Sequence, residues 1–158
     1  MNIEDIEKDI YSSFAALATT IGYSEIHGRI IAALMVSDKK LSLQNLSEKT
    51  GYSISTLSLS LDLLEFFGMI KKIKNAGDRK LYLQLNGDLL EGLKKAFTVK
   101  IQKSVTDSLK RFSEYKENLK YSKDKDKTRV INVLNILEKE ILRLDKYINL
   151  LSKLKFQW

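Results

Sequence analysis

The sequence predicts a mainly α-helical protein that contains one short β-hairpin. Apolar residues recur at three- and four-residue steps over most of the 158 residues, which is the helical period. The chain has no proline, which favours long uninterrupted helices. Two short runs, MIKKIK (69–74) and RKLYLQL (79–85), change the period and flank NAGD (75–78), a sequence typical of a tight turn. The first two observations predict the helices and the third predicts the hairpin.

Four helices are predicted before the hairpin, and serine or glycine marks their ends. The first covers residues 2–20, whose apolar residues keep helical spacing until GYS (22–24) interrupts the pattern. A serine N-cap accepts a hydrogen bond from the first helical turn, and glycine readily adopts the left-handed conformation that ends a helix. By these signals the next three helices run over 25–37, 42–50 and 53–67.

The segment 53–67 fits two interpretations. From Leu57 to Leu63 every second residue is leucine, which is typical of a half-buried strand. The segment is longer than a usual strand, begins at a capping Ser53 and stops at Gly68. These neighbours favour a helix, whose inward stripe consists of Ile54, Leu57, Leu61 and Leu64.

Such a helix has a second apolar stripe on roughly the opposite side, formed by Leu59, Leu63 and Phe66. We expect the C-terminal end of this stripe to pack under the hairpin. Its N-terminal end, at Leu59, is expected to be available to a partner. The free face of the helix holds serines and a threonine but no lysine or arginine.

Two long helices are predicted after the hairpin, over 88–119 and 128–154, with SKDKDK (122–127) as the turn between them. The last helix carries a sustained heptad seam with steps of four and three residues. The seam consists of Val130, Leu134, Leu137, Ile141, Leu144, Ile148 and Leu151. It packs either on 88–119 within the chain or on a second copy.

The order of elements predicts a winged helix-turn-helix with a two-stranded β-hairpin wing, flanked by long N- and C-terminal helices that form a dimerisation region. The helix-turn-helix consists of the helices 42–50 and 53–67. In such an arrangement its second helix, 53–67, lies in the major groove of DNA. The hairpin tip, 75–80, reaches the backbone or the minor groove, where basic side chains are attracted by the phosphates.

Charge is distributed unevenly along the chain. Residues 1–38 hold two basic and six acidic side chains (−4), 39–98 hold ten and six (+4), and 99–158 hold fifteen and eight (+7). The surplus of positive charge after residue 38 suits an anionic partner, and double-stranded DNA is the first candidate. A solubilising lysine-rich surface explains the same composition about as well.

The segment LSLQNLSEKTGYSISTLSLSLDLLEFFGMIKKIKNAGDRKLYLQL, residues 41–85, resembles the MarR superfamily of winged-helix transcription regulators. It is most similar to the GbsR-like branch, in its archaeal form. The matching features are Leu46-Ser47, the Ser/Thr-rich helix entry SISTLS, the helix end LDLLEFFGMI and the wing tip GDRK (77–80). The flanking helices match in architecture only. The resemblance implies a homodimeric regulator, often tuned by a small-molecule effector near the helical interface.

Carried over by position, the resemblance assigns DNA-facing places to residues of the 53–67 helix and of the wing. They are Ser53, Ser55, Thr56, Ser58, Leu59 and Ser60 on the helix, with Arg79 and Lys80 on the wing. Leu59 departs from the family, whose members often have a polar or basic residue there. Without Arg, Asn or Gln, this helix lacks bidentate base readers, so we expect modest base specificity. Serine hydroxyls read bases weakly, and a leucine can contact a thymine methyl group.

Further contacts are expected from the flanking regions. Lys39, Lys40 and Lys49 flank the first helix of the pair and are candidates to grip phosphates, although each alone is more typical of plain surface. The resemblance and the regular seam together favour a dimer interface over packing within the chain. Its expected residues are Ile6, Ile10, Leu134, Leu137, Ile141, Leu144, Ile148 and Leu151. The predicted domains are a dimerisation helix (1–22), the DNA-binding domain (23–87) and a helical dimerisation domain (88–158).

Other classes of function have little support in the sequence. His27 is the only histidine and there is no cysteine, so no metal site is expected, and no cofactor motif occurs. No nucleophile elbow or glycine-rich phosphate loop is present, so we expect no enzyme. The acidic amphipathic start is unlike a signal peptide and no apolar run is long enough to span a membrane, so we expect a cytoplasmic protein with no membrane partner.

The alternative function is a winged-helix protein-interaction module without specific DNA binding. In that hypothesis the stripe of Leu59, Leu63 and Phe66 docks a partner helix. Its main support is the absence of positive charge from the 53–67 helix.

Overall fold

The computed structural model describes residues 2–38 and 40–155. The chain divides into two compact units, Met1–Leu93 and Lys94–Trp158. Within the described ranges the helices are α1 (Ile3–Thr20), α2 (Glu25–Val36), α3 (Leu43–Thr50), α4 (Ile54–Phe66), α5 (Leu89–Lys120) and α6 (Lys127–Lys153). The strands there are β1 (Lys40–Ser42), β2 (Ile70–Lys74) and β3 (Leu81–Leu85). The mainly helical fold with a wing is therefore confirmed.

Serine and glycine end the central helices as the sequence predicts. The Ser42 Oγ accepts the Asn45 N–H at 3.1 Å, and the Ser53 Oγ accepts the Thr56 N–H at 3.2 Å. Gly51 ends α3 with a φ of 75°, a left-handed conformation that costs glycine little. The segment 53–67 is thus a helix, and its alternating leucines divide between two faces.

The sheet has three strands rather than the two predicted. Its order is β1-β3-β2 and both pairings are antiparallel, with Leu41 and Lys72 on either side of Leu83. The third strand, β1, is only three residues long, which is too short to show an alternating pattern in the sequence. It brings the chain before α3 alongside the wing, which we define as the β2–β3 hairpin.

The core of the first unit combines α1 to α4 with the inner face of the sheet. Ile30, Leu46, Leu57 and Leu83 are fully buried there. The helices α1 and α2 approach so closely that a Cβ on Gly28 would lie 2.2 Å from the carbonyl oxygen of Phe14. A side chain at position 28 would therefore force the two helix backbones apart.

The second unit is an antiparallel helical hairpin made by α6 and the part of α5 after Leu93. The Gln102 side chain donates to the Asn149 Oδ1 at 2.8 Å, and Lys116 forms an ion pair with Glu138. From Gln102 to Lys116 the chain advances along α5 while the partner in α6 moves back from Asn149 to Glu138, so the two helices are antiparallel.

The heptad seam of α6 divides between two environments. Leu134 and Ile148 are buried, and they share the face of α6 whose Glu138 and Asn149 bond to α5. The other seam residues at alternate steps, namely Leu137, Leu144 and Leu151, remain exposed in the single chain. Half of the seam thus packs within the hairpin, and the other half is open.

Candidate nucleic-acid interface

The N-terminus of α4 holds a cluster of hydroxyl groups. The Ser53 Oγ lies 2.9 Å from the Ser55 Oγ and 2.8 Å from the Thr56 Oγ1, in addition to capping the helix. All three residues are exposed. These hydroxyls offer donors and acceptors at the end of a helix where backbone N–H groups favour negatively charged partners.

The outward face of α4 is apolar and acidic rather than basic. Leu57, Leu61 and Leu64 are buried, so the opposite side presents Ser55, Leu59, Asp62 and Phe66 at steps of four, three and four residues. Leu59 is 81% exposed, which makes it the most open leucine among the described residues. The predicted second stripe is therefore on the surface, as its helical geometry requires.

Three details of this helix differ from the sequence prediction. Ile54, expected on the inward stripe, is 44% exposed. Phe66, expected to pack under the wing, is 64% exposed and contacts the ring of Phe67 edge to face at 5.1 Å between centroids. Ser60 is only 9% exposed, so its side chain lies toward the core and not beside Leu59 on the outward face.

The acidic residues of α4 form ion pairs with one lysine of the wing. Lys72 of β2 forms ion pairs with Asp62 and with Glu65, the latter at 3.1 Å. The hydrogen bond from Lys72 to Asp62 raises the pKa of the Lys72 ammonium above its ordinary value. Because its charge is shared between these two carboxylates, Lys72 holds the wing against α4.

A groove runs between α4 and the wing, and Ser58, Lys72 and Lys74 line it. Because side chains alternate along a strand, Lys72 and Lys74 of β2 face α4 while Lys71 lies on the other face of the sheet. Lys74 is a basic residue beside α4 that was not among the predicted contacts.

The wing tip, residues 75–80, carries the exposed side chains of Arg79 and Lys80. Among the described residues no acidic side chain pairs with Arg79. Asp78, the neighbour of Arg79 in the sequence, instead accepts the Lys80 N–H at 2.9 Å and the Tyr82 hydroxyl at 3.0 Å. The guanidinium of Arg79 is therefore open to an external anion.

Of the three lysines expected to flank α3, the first helix of the helix-turn-helix, the structure describes two. Lys39 lies outside the described residues. The ammonium of Lys40 lies 4.9 Å from the centroid of the Tyr82 ring, so this lysine contacts the wing. Lys49 pairs with Glu7 of α1 at 3.2 Å, and this contact raises the pKa of Lys49.

An apolar cavity of about 150 Å³, partly open to solvent, lies in the first unit. It is lined by α1, α2, the C-terminal part of α4 and the start of α5, through Phe14, Leu17, Tyr23, His27, Leu64, Met69 and Leu93 among others. The His27 Nδ1 lies 2.8 Å from the Ser24 Oγ, and burial lowers the pKa of the imidazole. Leu64 connects this cavity directly to α4.

The predicted dimer residues at the N-terminus are available on the surface. Ile6 is exposed and Ile10 is half-buried on α1. In the second unit Ile141 is half-buried, between the buried and the exposed parts of the α6 seam.

Within residues 2–38 and 40–155, no three His, Asp or Glu side chains are grouped closely enough to hold a metal ion. None of the helices in these ranges combines the length and apolar character needed to cross a membrane.

Several solved structures are similar to this chain. One is described as a transcriptional regulator, with a TM-score of 0.61 and 16% sequence identity over 91% of this chain and 93% of that chain. NadR in complex with 4-hydroxyphenylacetate has a TM-score of 0.43 and 16% identity, over 96% and 89% of the two chains. The organohalide-sensing regulator RdhR, ligand-free, has a TM-score of 0.43 and 17% identity, over 99% and 86%.

No protein-family model matches the sequence, and no curated protein matches it. At 16% identity a structural likeness establishes the fold only. The structure described as a transcriptional regulator therefore shows that the two chains share a fold, in agreement with the winged helix-turn-helix that α2 to α4 and the β2–β3 hairpin build.

Proposed function

We propose that the chain is a homodimeric DNA-binding transcriptional regulator of the MarR superfamily, in its GbsR-like branch. In this proposal α4 enters the major groove and residues 75–80 contact the backbone or the minor groove. The observation that carries it is the groove in which Ser58 of α4 faces Lys74 of the wing. An exposed helix face and a cationic hairpin thereby meet on one side of the unit, which is the arrangement that major-groove docking requires.

Base reading by α4 is expected to be modest. Its exposed side chains are hydroxyls, apolar groups and two carboxylates, and none forms the bidentate hydrogen bonds that distinguish guanine or adenine. DNA shape and the spacing of two half-sites then supply a larger share of the specificity.

The open half of the α6 seam supports the homodimer. Leu137, Leu144 and Leu151 lie at heptad spacing and are exposed, which is costly for aliphatic side chains in water. A second copy covers them in the proposed assembly, together with Ile6 and Ile10 of α1. Analytical ultracentrifugation of Leu144→Glu tests this contact, because a carboxylate in the seam dissociates a dimer.

Leu142→Glu is the matched control for the dimer, since Leu142 is equally exposed but lies off the seam. Loss of the dimer in Leu144→Glu and its retention in Leu142→Glu support the proposed interface. A wild-type chain that sediments as a monomer at micromolar concentration contradicts it.

The cavity in the first unit supports regulation by a small effector. Its lining is almost entirely apolar, and about 150 Å³ is the size that holds one aromatic ring. A ligand there touches Leu64 of α4 and is thereby coupled to the DNA-binding helix. Benzene is a suitable probe: it should raise the unfolding temperature of wild type and not that of Ala18→Leu, in which the larger side chain fills space that Ala18 lines. Equal shifts in both proteins contradict binding at this site.

DNA binding itself is tested by in vitro selection with the purified protein, followed by a salt titration on the enriched sequence. We expect a palindrome, and a logarithmic salt dependence with a slope of about −0.9 per phosphate neutralised. Affinity that is flat between low and moderate salt overturns the proposal.

A protein-interaction module is the second candidate, and the exposure of Leu59 and Phe66 favours it. Two large apolar side chains on one helix face suit a helical partner as well as DNA. A protein that is captured stably by a partner but is indifferent to DNA supports this alternative.

A further inference from the structure

The wing tip is held by a carboxylate that points into the hairpin. The Asp78 Oδ1 accepts the N–H of Lys80 at 2.9 Å, while its Oδ2 accepts the hydroxyl of Tyr82 at 3.0 Å. The N–H of Asp78 donates to the carbonyl of Asn75 at 3.1 Å. Both backbone neighbours of Arg79 are therefore fixed by hydrogen bonds, although the Arg79 side chain is exposed.

Tyr82 is well placed to anchor this contact. It lies in β3, the central strand, where it pairs with Ile73 of β2 and Ser42 of β1. The ammonium of Lys40 lies over its ring at 4.9 Å. The Asp78–Tyr82 bond thus ties the wing tip to the sheet and not merely to itself.

The bonds favour the ionised form of Asp78. The bond from the Lys80 N–H is the main reason that the pKa of the Asp78 carboxyl lies below its ordinary value, and the bond to Asp78 raises the pKa of Tyr82. A negative charge therefore lies beside two cationic side chains at the tip of the wing.

We propose that Asp78 is a positioning residue for DNA binding, which holds the wing tip in the conformation that presents Arg79 and Lys80 to phosphates. This inference rests on the proposed DNA-binding function. Fixing a flexible loop costs conformational entropy, and a loop ordered before binding does not incur that cost again on DNA.

The proposal predicts an effect opposite in sign to simple electrostatics. A carboxylate near phosphates repels them, so on charge alone every variant that removes it binds DNA more tightly. If Asp78 orders the tip, Asp78→Ala binds DNA more weakly, by about threefold to tenfold, because the loop must be ordered on binding. Asp78→Asn keeps acceptor and donor atoms for Lys80 and Tyr82, so it binds at least as tightly as wild type.

A double-mutant cycle separates positioning from general damage. In Arg79→Ala/Lys80→Ala there is nothing left to position, so adding Asp78→Ala should cause no further loss of affinity. Tyr82→Phe removes one bond and leaves the loop sequence intact, so it should weaken binding less than Asp78→Ala and in the same direction. Thermal unfolding followed by circular dichroism verifies that each variant is folded.

The outcomes distinguish this inference from the proposed function. Wild type that shows no salt-sensitive DNA binding overturns both. The positioning role alone is overturned if wild type binds DNA, Arg79→Ala/Lys80→Ala binds it more weakly and Asp78→Ala binds it more tightly. Weakening in Asp78→Ala, recovery in Asp78→Asn and loss of the effect in the Arg79/Lys80 background establish it.

Discussion

The helix α4 and the wing line one groove but carry different chemistry. The exposed side of α4 presents hydroxyls, Leu59 and Asp62, with no lysine or arginine anywhere in 53–67. The wing supplies Lys74, Arg79 and Lys80. In the proposed complex the two tasks of a DNA-binding surface are therefore separated: the wing provides electrostatic affinity, and the helix provides shape and weak base contacts.

The largest expected effect comes from removing the charge of the wing tip. Arg79→Ala/Lys80→Ala should weaken DNA binding by about tenfold or more, since charge-assisted hydrogen bonds are the strong ones at such a surface. The slope of the logarithmic salt dependence should become less steep by about 2, because each of the two side chains neutralises about one phosphate. Fluorescence anisotropy over a salt series measures both quantities.

Arg29→Ala/Lys8→Ala is the control for this prediction, because it removes the same charge from α2 and α1. Equal losses in the two double variants mean that only net charge matters. In that case the contrast between helix and wing does not describe DNA binding.

The second expected effect concerns Leu59. If its side chain meets a thymine methyl group, replacing thymine by uracil in the selected site should weaken wild-type binding by about fourfold for one buried methyl. Leu59→Ala should bind the two DNAs with similar affinity. A uracil effect that is unchanged in Leu59→Ala assigns the methyl contact to another residue.

Much of this fold follows from local sequence signals, and the rest depends on contacts between distant residues. Ser42, Ser53 and Gly51 act within one turn of their helices, so they fix helix ends that are visible in the sequence. The strand β1 has no such signal, because three residues cannot display a period. Its pairing with β3 moves Lys40 to the wing, which changes the partner expected for that lysine.

The candidate interface is less predictable than the fold for the same reason. Lys49 and Glu7 are 42 positions apart, and the sequence around each residue does not predict their ion pair. The burial of Ser60 depends on the rotation of α4 against the sheet, which the alternating leucines leave ambiguous. Adjacency in the sequence makes Asp78 a candidate ion-pair partner of Arg79, whereas in the structure its two oxygens bond to Lys80 and Tyr82.

A smaller effect is expected at Asp62, the acid on the outward face of α4. Asp62→Asn should tighten DNA binding by about twofold, since one exposed charge in water contributes little. Lys72 keeps its bond to Glu65, so the wing should remain in place. Asp9→Asn on α1 makes the same change in charge and should leave DNA affinity unchanged. Weaker binding of Asp62→Asn shows instead that the carboxylate contacts the DNA or holds Lys72 for that purpose.

The smallest expected effect is the dependence of stability on pH. It distinguishes α4 and the wing from the region between α1 and α2. Neither α4 nor the wing contains a histidine, the residue whose charge ordinarily changes near neutral pH. His27 is the only histidine, and burial lowers its pKa below the ordinary 6.5. Below that value the unfolded chain binds a proton that the folded chain resists, so stability declines as pH falls from about 7.5 to 5.5.

The unfolding temperature of wild type should decrease over this window, whereas that of His27→Gln should change less. An identical pH dependence in both proteins places the titrating group elsewhere, and a DNA affinity that changes with pH in His27→Gln means that one of the two surfaces titrates after all.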